Sequence, residues 1–257
     1  MSEYLRCPAC RGAIHDEHSG LRCAQCSRLF PIVGGIPALL AEAPTAPAVS
    51  ARTRALDAEA ARYAFLMAGL AVLARVWLPA ERRRLISALA LKPGDRVLDH
   101  CSGPGNNLPA IAACLGPEGT IVAMDLSREM LRRAQRWAER RHARVDLHQA
   151  DAAALPYADG VFAAVIHVGA INQFGDATRR AVAEMVRVTR PGGTVAIVDE
   201  GLEPSRAQTL LGRLLVRRNA LFASRPPLDA LPPGVHPEVR WVIRGIFYQI
   251  VFRTPGS

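Results

Sequence analysis

The chain has 257 residues, enough for one ordinary α/β domain and a small appendage. Apolar residues make up 50% and charged residues 21%, which excludes a globally disordered chain. Aromatics are only 5%, too few for a base-stacking nucleic-acid platform, and the formal net charge of +9 permits a polyanionic or membrane-surface partner without requiring one. Lys92 is the one lysine among the 32 basic residues.

No secretory leader is read ahead of the first cysteine pair, so a cytoplasmic setting is expected. The longest apolar run, Ala64 to Leu78, is broken by Arg75 and falls short of the roughly 20 residues that span a bilayer. Cys7-Pro8-Ala9-Cys10 and Cys23-Ala24-Gln25-Cys26 are two C-x2-C knuckles. Each turns two thiolates toward one point, and together they make a closed four-thiolate site of the structural zinc type. His15 and His18 are superfluous to such a site. Leu29 to Leu40 reads as a strand, a turn and an extended apolar tail. The whole segment resembles the zinc-ribbon activators of tRNA and protein methyltransferases, and the ribbon at the front of rRNA guanine methyltransferases. The expected division is a ribbon over 1–40, a linker and helical lid region over 41–84, and a main domain over 85–257.

Pro44 and Pro47 mark the linker. From Ser50 to Leu78 the pattern is helical, with an unusually apolar second half that suits a buried helix, or a lid over a hydrophobic ligand or lipid. Pro79 interrupts it, and Glu81 to Leu91 opens another helix, with Arg82 to Arg84 on a solvated face.

Arg96 to Asp99 is a short buried strand. It runs into His100-Cys101-Ser102-Gly103-Pro104-Gly105-Asn106-Asn107, and a helix follows with Asn107 as N-cap and Pro109 in its first turn. Strand, glycine turn and helix form a nucleotide-binding unit. Thr120 to Asp125 is the second strand. Asp125 lies 20 residues past Gly105, where an acid accepts hydrogen bonds from both hydroxyls of a ribose. Arg144 to Gln149, Val161 to Val168 and Thr194 to Asp199 are further strands, with a helix over Asp176 to Val188. Alternating strands and helices with short connections predict a doubly wound parallel sheet. Glu203 to Phe222 reads as one leucine- and arginine-rich helix. Glu238 to Ile243 and Ile246 to Arg253 read as a closing antiparallel hairpin.

VLDHCSGPGNN, IVAMDLSREML, QADAAALPYADGVFAAVI and VRVTRPGGTVAIVDE resemble the class I S-adenosylmethionine-dependent methyltransferases, nearest to the ubiquinone/menaquinone-biosynthesis type. The resemblance implies an α/β fold with a Rossmann-like seven-stranded sheet and a C-terminal antiparallel hairpin. It implies that the loop from Asp99 through Cys101, Gly103 and Gly105 to Asn107 holds the methionine part of S-adenosylmethionine. Asp125 would hold the ribose, Leu126 would pack on adenine, and Asp151 with Ala152 would read its amino edge. His167 would lie beside the transferred methyl group, as base or as a positioning side chain. Asn172 would orient the acceptor, and Asp199 and Glu200 are alternative bases. Cys101 stands where the family prefers a small residue, often glycine. His100 replaces an aliphatic residue and reads as a core histidine bonded to backbone. Asn172-Gln173 stands where the quinone enzymes carry paired histidines. A dehydrogenase reading lacks its third glycine, since Asn107 stands two residues beyond Gly105 and Leu108 comes next.

The expected activity is methylation of a small, hydrophobic or lipid-like acceptor. An RNA methyltransferase using the ribbon is the alternative, and a cofactor-binding scaffold or cyclase is a third. The sequence leaves the oligomeric state and the methylated atom open.

Overall fold

A computed structural model describes residues 3–18, 20–42 and 78–256. The helical segment read from Ser50 toward Leu78, and most of the 41–84 region, lies outside the described residues.

The N-terminal strands β1 (Ile14–Glu17), β2 (Gly20–Cys23) and β3 (Leu29–Phe30) form a small antiparallel sheet. Gly20 has φ +148°, and a Cβ there would meet the Phe30 carbonyl at 2.5 Å, so the strand pair closes only around glycine. Next comes the hairpin of β4 (Ile32–Val33) and β5 (Ile36–Leu39). Its two turn residues, Gly34 and Gly35, have φ +62° and +79°, as a type I′ turn requires.

The main sheet contains β6 (Arg96–His100), β7 (Thr120–Asp125), β8 (Val145–Ala150), β9 (Phe162–Val168), β10 (Thr189–Glu200), β11 (Glu238–Val242) and β12 (Phe247–Arg253). Its order is β11-β12-β10-β9-β6-β7-β8-β5-β4. The seven expected strands are all present, with β12 antiparallel to β10 and β11 antiparallel to β12. Two more are added. β5 pairs in parallel with β8, Ala38 opposite Gln149 and Leu39 opposite Ala150, so the sheet has nine strands. The stretch read as an apolar tail is apolar because a sheet and its covering layers bury all four of its residues.

Helices α1 (Leu78–Ser87), α2 (Leu108–Leu115) and α3 (Arg128–Arg141) cover one face. Ile86, Leu108, Ile111, Leu131 and Ala134 meet Val97, Ile121, Ala123 and Ile166 there. Pro79 does not break α1 but sits in its first turn, where a missing N–H goes unnoticed. Ser127 caps α3 by accepting from the Met130 N–H at 3.1 Å. The opposite face carries α4 (Thr178–Val188), whose Ala181, Val182, Met185 and Val188 join Leu98, Val165, Val195 and Ile197. Tyr4, Leu5, Ile14, Leu21 and Phe30 of the ribbon belong to that same core.

The ribbon is therefore bonded to the sheet. The Tyr4 hydroxyl donates to Asp146 at 2.6 Å, and the Arg6 N–H donates to the Pro156 carbonyl at 2.9 Å. Arg11 donates to the Leu155 carbonyl at 2.8 Å and to Glu184 at 2.9 Å. Glu184 also accepts from the Leu155 N–H at 2.7 Å and from Arg187 at 2.8 Å. Burial opposes the Glu184 carboxylate, but Arg187 and Arg11 outweigh it and hold its pKa below the usual range. Glu184→Ala strips two guanidiniums and a buried N–H of their partner. It is expected to lower stability by about 3 kcal/mol in urea denaturation.

The single helix expected over Glu203 to Phe222 is broken. α5 (Pro204–Ala207), α6 (Leu210–Arg218) and a 3-10 turn (Ala220–Ala223) take its place. Thr209 and Asn219 cause the breaks. Each adopts extended backbone, Thr209 accepting from the Gly212 N–H and Asn219 from the Leu221 N–H, both at 3.0 Å.

Candidate functional site

The strand order reverses between β6 and β9, the switch point at which doubly wound sheets bind ligands beyond the carboxyl ends of the strands. Buried polar side chains gather at that edge. Asp99 and His100 end β6, His167 lies one residue from the end of β9, Asp199 and Glu200 end β10, and Gln149 is near the end of β8. The remaining strand positions are largely apolar, so this edge is where the sheet departs from its packing rule.

The loop after β6 opens with Cys101 at φ +56°, followed by Gly103 at +54° and Gly105 at +83°. Cys101 thus sits in the left-handed region that favours glycine, at a cost of about 1–2 kcal/mol. Its N–H points at the Met124 sulfur, 3.3 Å away. A Cβ on Gly103 would meet nothing within 4 Å, so open space lies over the loop. A Cβ on Gly105 would meet Leu108 Cδ1 at 2.6 Å and Ala134 at 3.0 Å, so the second glycine allows α2 and α3 to close on the loop.

Asp125 ties that loop to β7. Its Oδ2 accepts from the Gly103 N–H and its Oδ1 from the Ser127 N–H, both at 2.8 Å. Asn107 occupies the N-cap position of α2 but its side chain makes no cap bond. Instead its Nδ2 donates to Asp99 Oδ1 at 2.8 Å, and its Oδ1 accepts from Arg82 at 2.5 Å. Arg82, read as part of a solvated face, reaches across to fix this amide. Burial pushes the pKa of Asp99 up to about 7, against the pull of Asn107 and Arg82. Leu126 is half-buried, and its carbonyl accepts from Gln149 Nε2 at 2.9 Å. Asp151 Oδ1 accepts from the Ala153 N–H at 2.8 Å, and the Ala152 carbonyl lies 3.2 Å from His100 Nε2.

Two expected chemical residues have other duties here. The Asn172 N–H donates to Asp199 Oδ2, and its Nδ2 donates to the Glu200 carbonyl, both at 2.8 Å. Its Oδ1 accepts from the Tyr248 hydroxyl at 2.7 Å. Asn172 thus fastens the loop after β9 to β10 and β12. Asp199 is fully buried and is engaged in that fastening. Burial first, then the adjoining Glu200 carboxyl, drives its pKa well above the usual carboxylate range. That direction favours the protonated form of Asp199. His167 is also fully buried, with Nδ1 2.7 Å from His100 Nδ1 and its ring against Phe174.

S-adenosylmethionine is the group that this loop resembles a holder for, and its fit can be tested on unmatched polar atoms. Asp99 Oδ2, Ser102 Oγ and Gln149 Oε1 are buried with no hydrogen-bond partner among the described residues. All three cluster around the glycine loop and the ends of β6 and β8. A ligand with several polar groups is what such an edge calls for. Arg82 and Gln149 were not read as site residues from sequence, because Asn107 and Leu126, which they bond, lie more than 20 residues away.

The ribbon cysteines fit zinc. All four sulfurs lie within 4.8 Å of one another, with Cys7–Cys26 at 3.7 Å and Cys10–Cys23 at 3.5 Å. A tetrahedral Zn–S4 site has edges of about 3.8 Å. The N–H groups of Gln25 and Cys26 point at the Cys23 sulfur at 3.4 and 3.5 Å, as suits a thiolate. Four protein ligands close the site, so its role is structural.

A doubly wound sheet of this order, with a glycine turn after its first strand and an acid at the end of the second, defines the methyltransferase type of the fold. Residues 97–193 match the family described as methyltransferase domain, and residues 1–35 match the Trm112p-like protein family. The chain thus joins a Trm112-like zinc-binding region to a methyltransferase domain. An uncharacterized protein of Mycobacterium tuberculosis is 35% identical over 152 residues, 58% of this chain and 51% of that one. The demethylmenaquinone methyltransferase of Thermus thermophilus is 34% identical over 137 residues, 53% of this chain and 61% of that enzyme. The chain spans about half to three fifths of the length of these curated relatives. The crystal structure of a SAM-dependent methyltransferase from Aquifex aeolicus superposes with a TM-score of 0.51 at 20% identity, over 67% of this chain and 89% of that one.

Proposed function

We propose that this protein transfers the methyl group of S-adenosylmethionine to a small hydrophobic acceptor of the hydroquinone kind. The observation that carries the reading is the 34% identity over 137 residues to a demethylmenaquinone methyltransferase. When bound, S-adenosylmethionine supplies an electrophilic methyl group. The chain's own residues do the rest. The glycine loop and Asp99 would seat the methionine part, Asp125 the ribose, and Leu126, Asp151 and Ala152 the adenine. Holding donor and acceptor in line is the main contribution such a site makes. The chain leaves β10 at this edge into α5 and α6, where Leu210, Leu211 and Leu214 are 84%, 61% and 50% exposed. An apolar surface beside the site suits a hydrophobic acceptor. No helix among the described residues is long and apolar enough to cross a membrane.

The arginines of the ribbon speak against RNA as the acceptor. Arg6 donates to the Glu3 and Leu5 carbonyls, Arg11 to Leu155 and Glu184, Arg22 to Glu17 and Ser27, and Arg28 to the Ala41 carbonyl. All four are engaged within the chain, whereas a phosphate-binding face presents its arginines outward.

The test is incubation with methyl-labelled S-adenosylmethionine, first with reduced naphthohydroquinone and then with a cell extract split into RNA, protein and organic-soluble fractions. Label is expected in the organic-soluble product. Label in RNA would refute the reading and make the ribbon a nucleic-acid module. Binding of S-adenosylmethionine with no labelled product in any fraction would point to a scaffold or cyclase.

A further inference from the structure

His100 and His167 stand side by side in the register of β6 and β9, at the switch point itself. Both are fully buried, with ring centroids 5.0 Å apart and planes inclined by 51°. Their Nδ1 atoms are 2.7 Å apart. With Cys101 they form a cluster of three metal-ligand types within 4.8 Å. A shared metal would hold two imidazole nitrogens about 3.3 Å apart in a tetrahedral site, wider than the distance seen. At 2.7 Å the contact is a hydrogen bond, so one Nδ1 carries the proton and the other the lone pair.

The outer bond of the pair decides which. His100 Nε2 faces the Ala152 carbonyl at 3.2 Å, and a carbonyl only accepts. The proton of His100 is therefore on Nε2, and its Nδ1 is the acceptor. Burial keeps both rings neutral, pushing His100 down to about 4 and His167 well below its ordinary value. His167 must then carry its one proton on Nδ1 and donate it to His100. Its Nε2 is left as a lone pair, and that atom is buried without a hydrogen-bond partner among the described residues. A buried acceptor with no donor is costly unless something else supplies the donor.

We infer that His100 is a positioning residue that locks His167 in its Nδ1–H tautomer, so that Nε2 of His167 accepts the hydroxyl proton of the methyl acceptor. The hydroxyl acceptor rests on the function proposed above; the tautomer assignment does not. In the step, the O–H bond breaks, the proton forms an N–H bond at Nε2, and the oxygen keeps the electron pair. The resulting imidazolium donates its Nδ1–H to His100. Asp151 and Glu184 both act on His100 in the sense that favours positive charge there, while His167 itself faces His100, Phe174 and Cys101. The proton returns to water when product leaves.

The test uses the full-length, zinc-loaded protein labelled with 15N-histidine, read by long-range proton–nitrogen spectra near neutral pH, with His167→Gln to assign signals. His167 is expected as the Nδ1–H form and His100 as the Nε2–H form. His100→Gln keeps one donor for Ala152 and one acceptor for His167, so the His167 tautomer should persist. His100→Leu removes both and should release it. In methyl transfer to naphthohydroquinone, His100→Leu should lower kcat at least about tenfold, with affinity for S-adenosylmethionine nearly unchanged and His100→Gln largely rescuing it. Wild-type His167 protonated on Nε2, or a tautomer unmoved in His100→Leu, would overturn the inference. So would a Nε2 signal already displaced in full by S-adenosylhomocysteine alone, which would make His167 a cofactor anchor. Correct tautomers without any turnover of naphthohydroquinone would instead sink the proposed acceptor, leaving the pair as assigned.

Discussion

Removing zinc from the ribbon is expected to weaken S-adenosylmethionine binding at least about tenfold, or 1.4 kcal/mol, as well as unfold the ribbon. Structural zinc contributes about 10–16 kcal/mol to the folding of small four-ligand modules, as much as a whole domain's stability, so the metal-free ribbon has nothing to hold it. Its loss would not stay local. Cys7 closes the first knuckle by accepting from the Arg11 N–H at 2.8 Å, and Arg11 reaches on to Leu155 and Glu184. Tyr4 and Arg6 hold the next residues, bonding to Ala158 and Pro156. Residues 155–158 lie three to six residues beyond Ala152, which with Asp151 is an expected adenine contact, and the Ala152 carbonyl also orders His100. β5 would leave the edge of β8 as well. Calorimetric titration with S-adenosylhomocysteine, with and without chelator, measures the coupling. Arg11→Ala, which leaves all four cysteines in place, should reproduce part of the loss with zinc still bound. Equal affinity in the zinc-free protein would show that the ribbon is only an appendage.

Much of this edge could be read in the sequence because it depends on local spacing. The C-x2-C knuckles, the glycine turn after a buried strand and Asp125 at the next strand's end each need only neighbours along the chain. β5 was harder. Four apolar residues after a glycine pair fit an exposed tail, a core plug or a strand equally well, and only β8, over 100 residues on, selects among them. The structural partners of Asn172 and Asp199 were hidden for the same reason. A polar residue at a strand end suits chemistry until its partners are known, and here the partners are each other and Tyr248. The pairing of His100 with His167 did leave a signal. Both histidines lie at the ends of strands that this sheet order makes neighbours, so aligning the strand ends would have set them side by side.

Asp125→Ala is expected to raise the dissociation constant of S-adenosylmethionine about 100-fold or more, with a small change in melting temperature. Hydrogen bonds to a charged acceptor contribute about 1.5–3 kcal/mol each, and a ribose diol supplies two. A carboxylate offers about four acceptor sites, so holding the Gly103 and Ser127 N–H groups is compatible with holding a diol. The change is expected to be mild for the fold because Asp125 is half-buried at the rim, and water can replace the carboxylate at both N–H groups. Gly105→Ala should behave differently. Its new methyl group would press on Leu108 and Ala134 in a left-handed backbone, so stability and affinity should fall together. Asp125→Asn keeps a single acceptor oxygen and should fall between wild type and alanine, at about tenfold. Titration of the three variants with S-adenosylhomocysteine, beside their thermal melts, separates contact with the ribose from support of the loop. Asp125→Ala binding within about twofold of wild type would show that the ribose is held elsewhere on this edge.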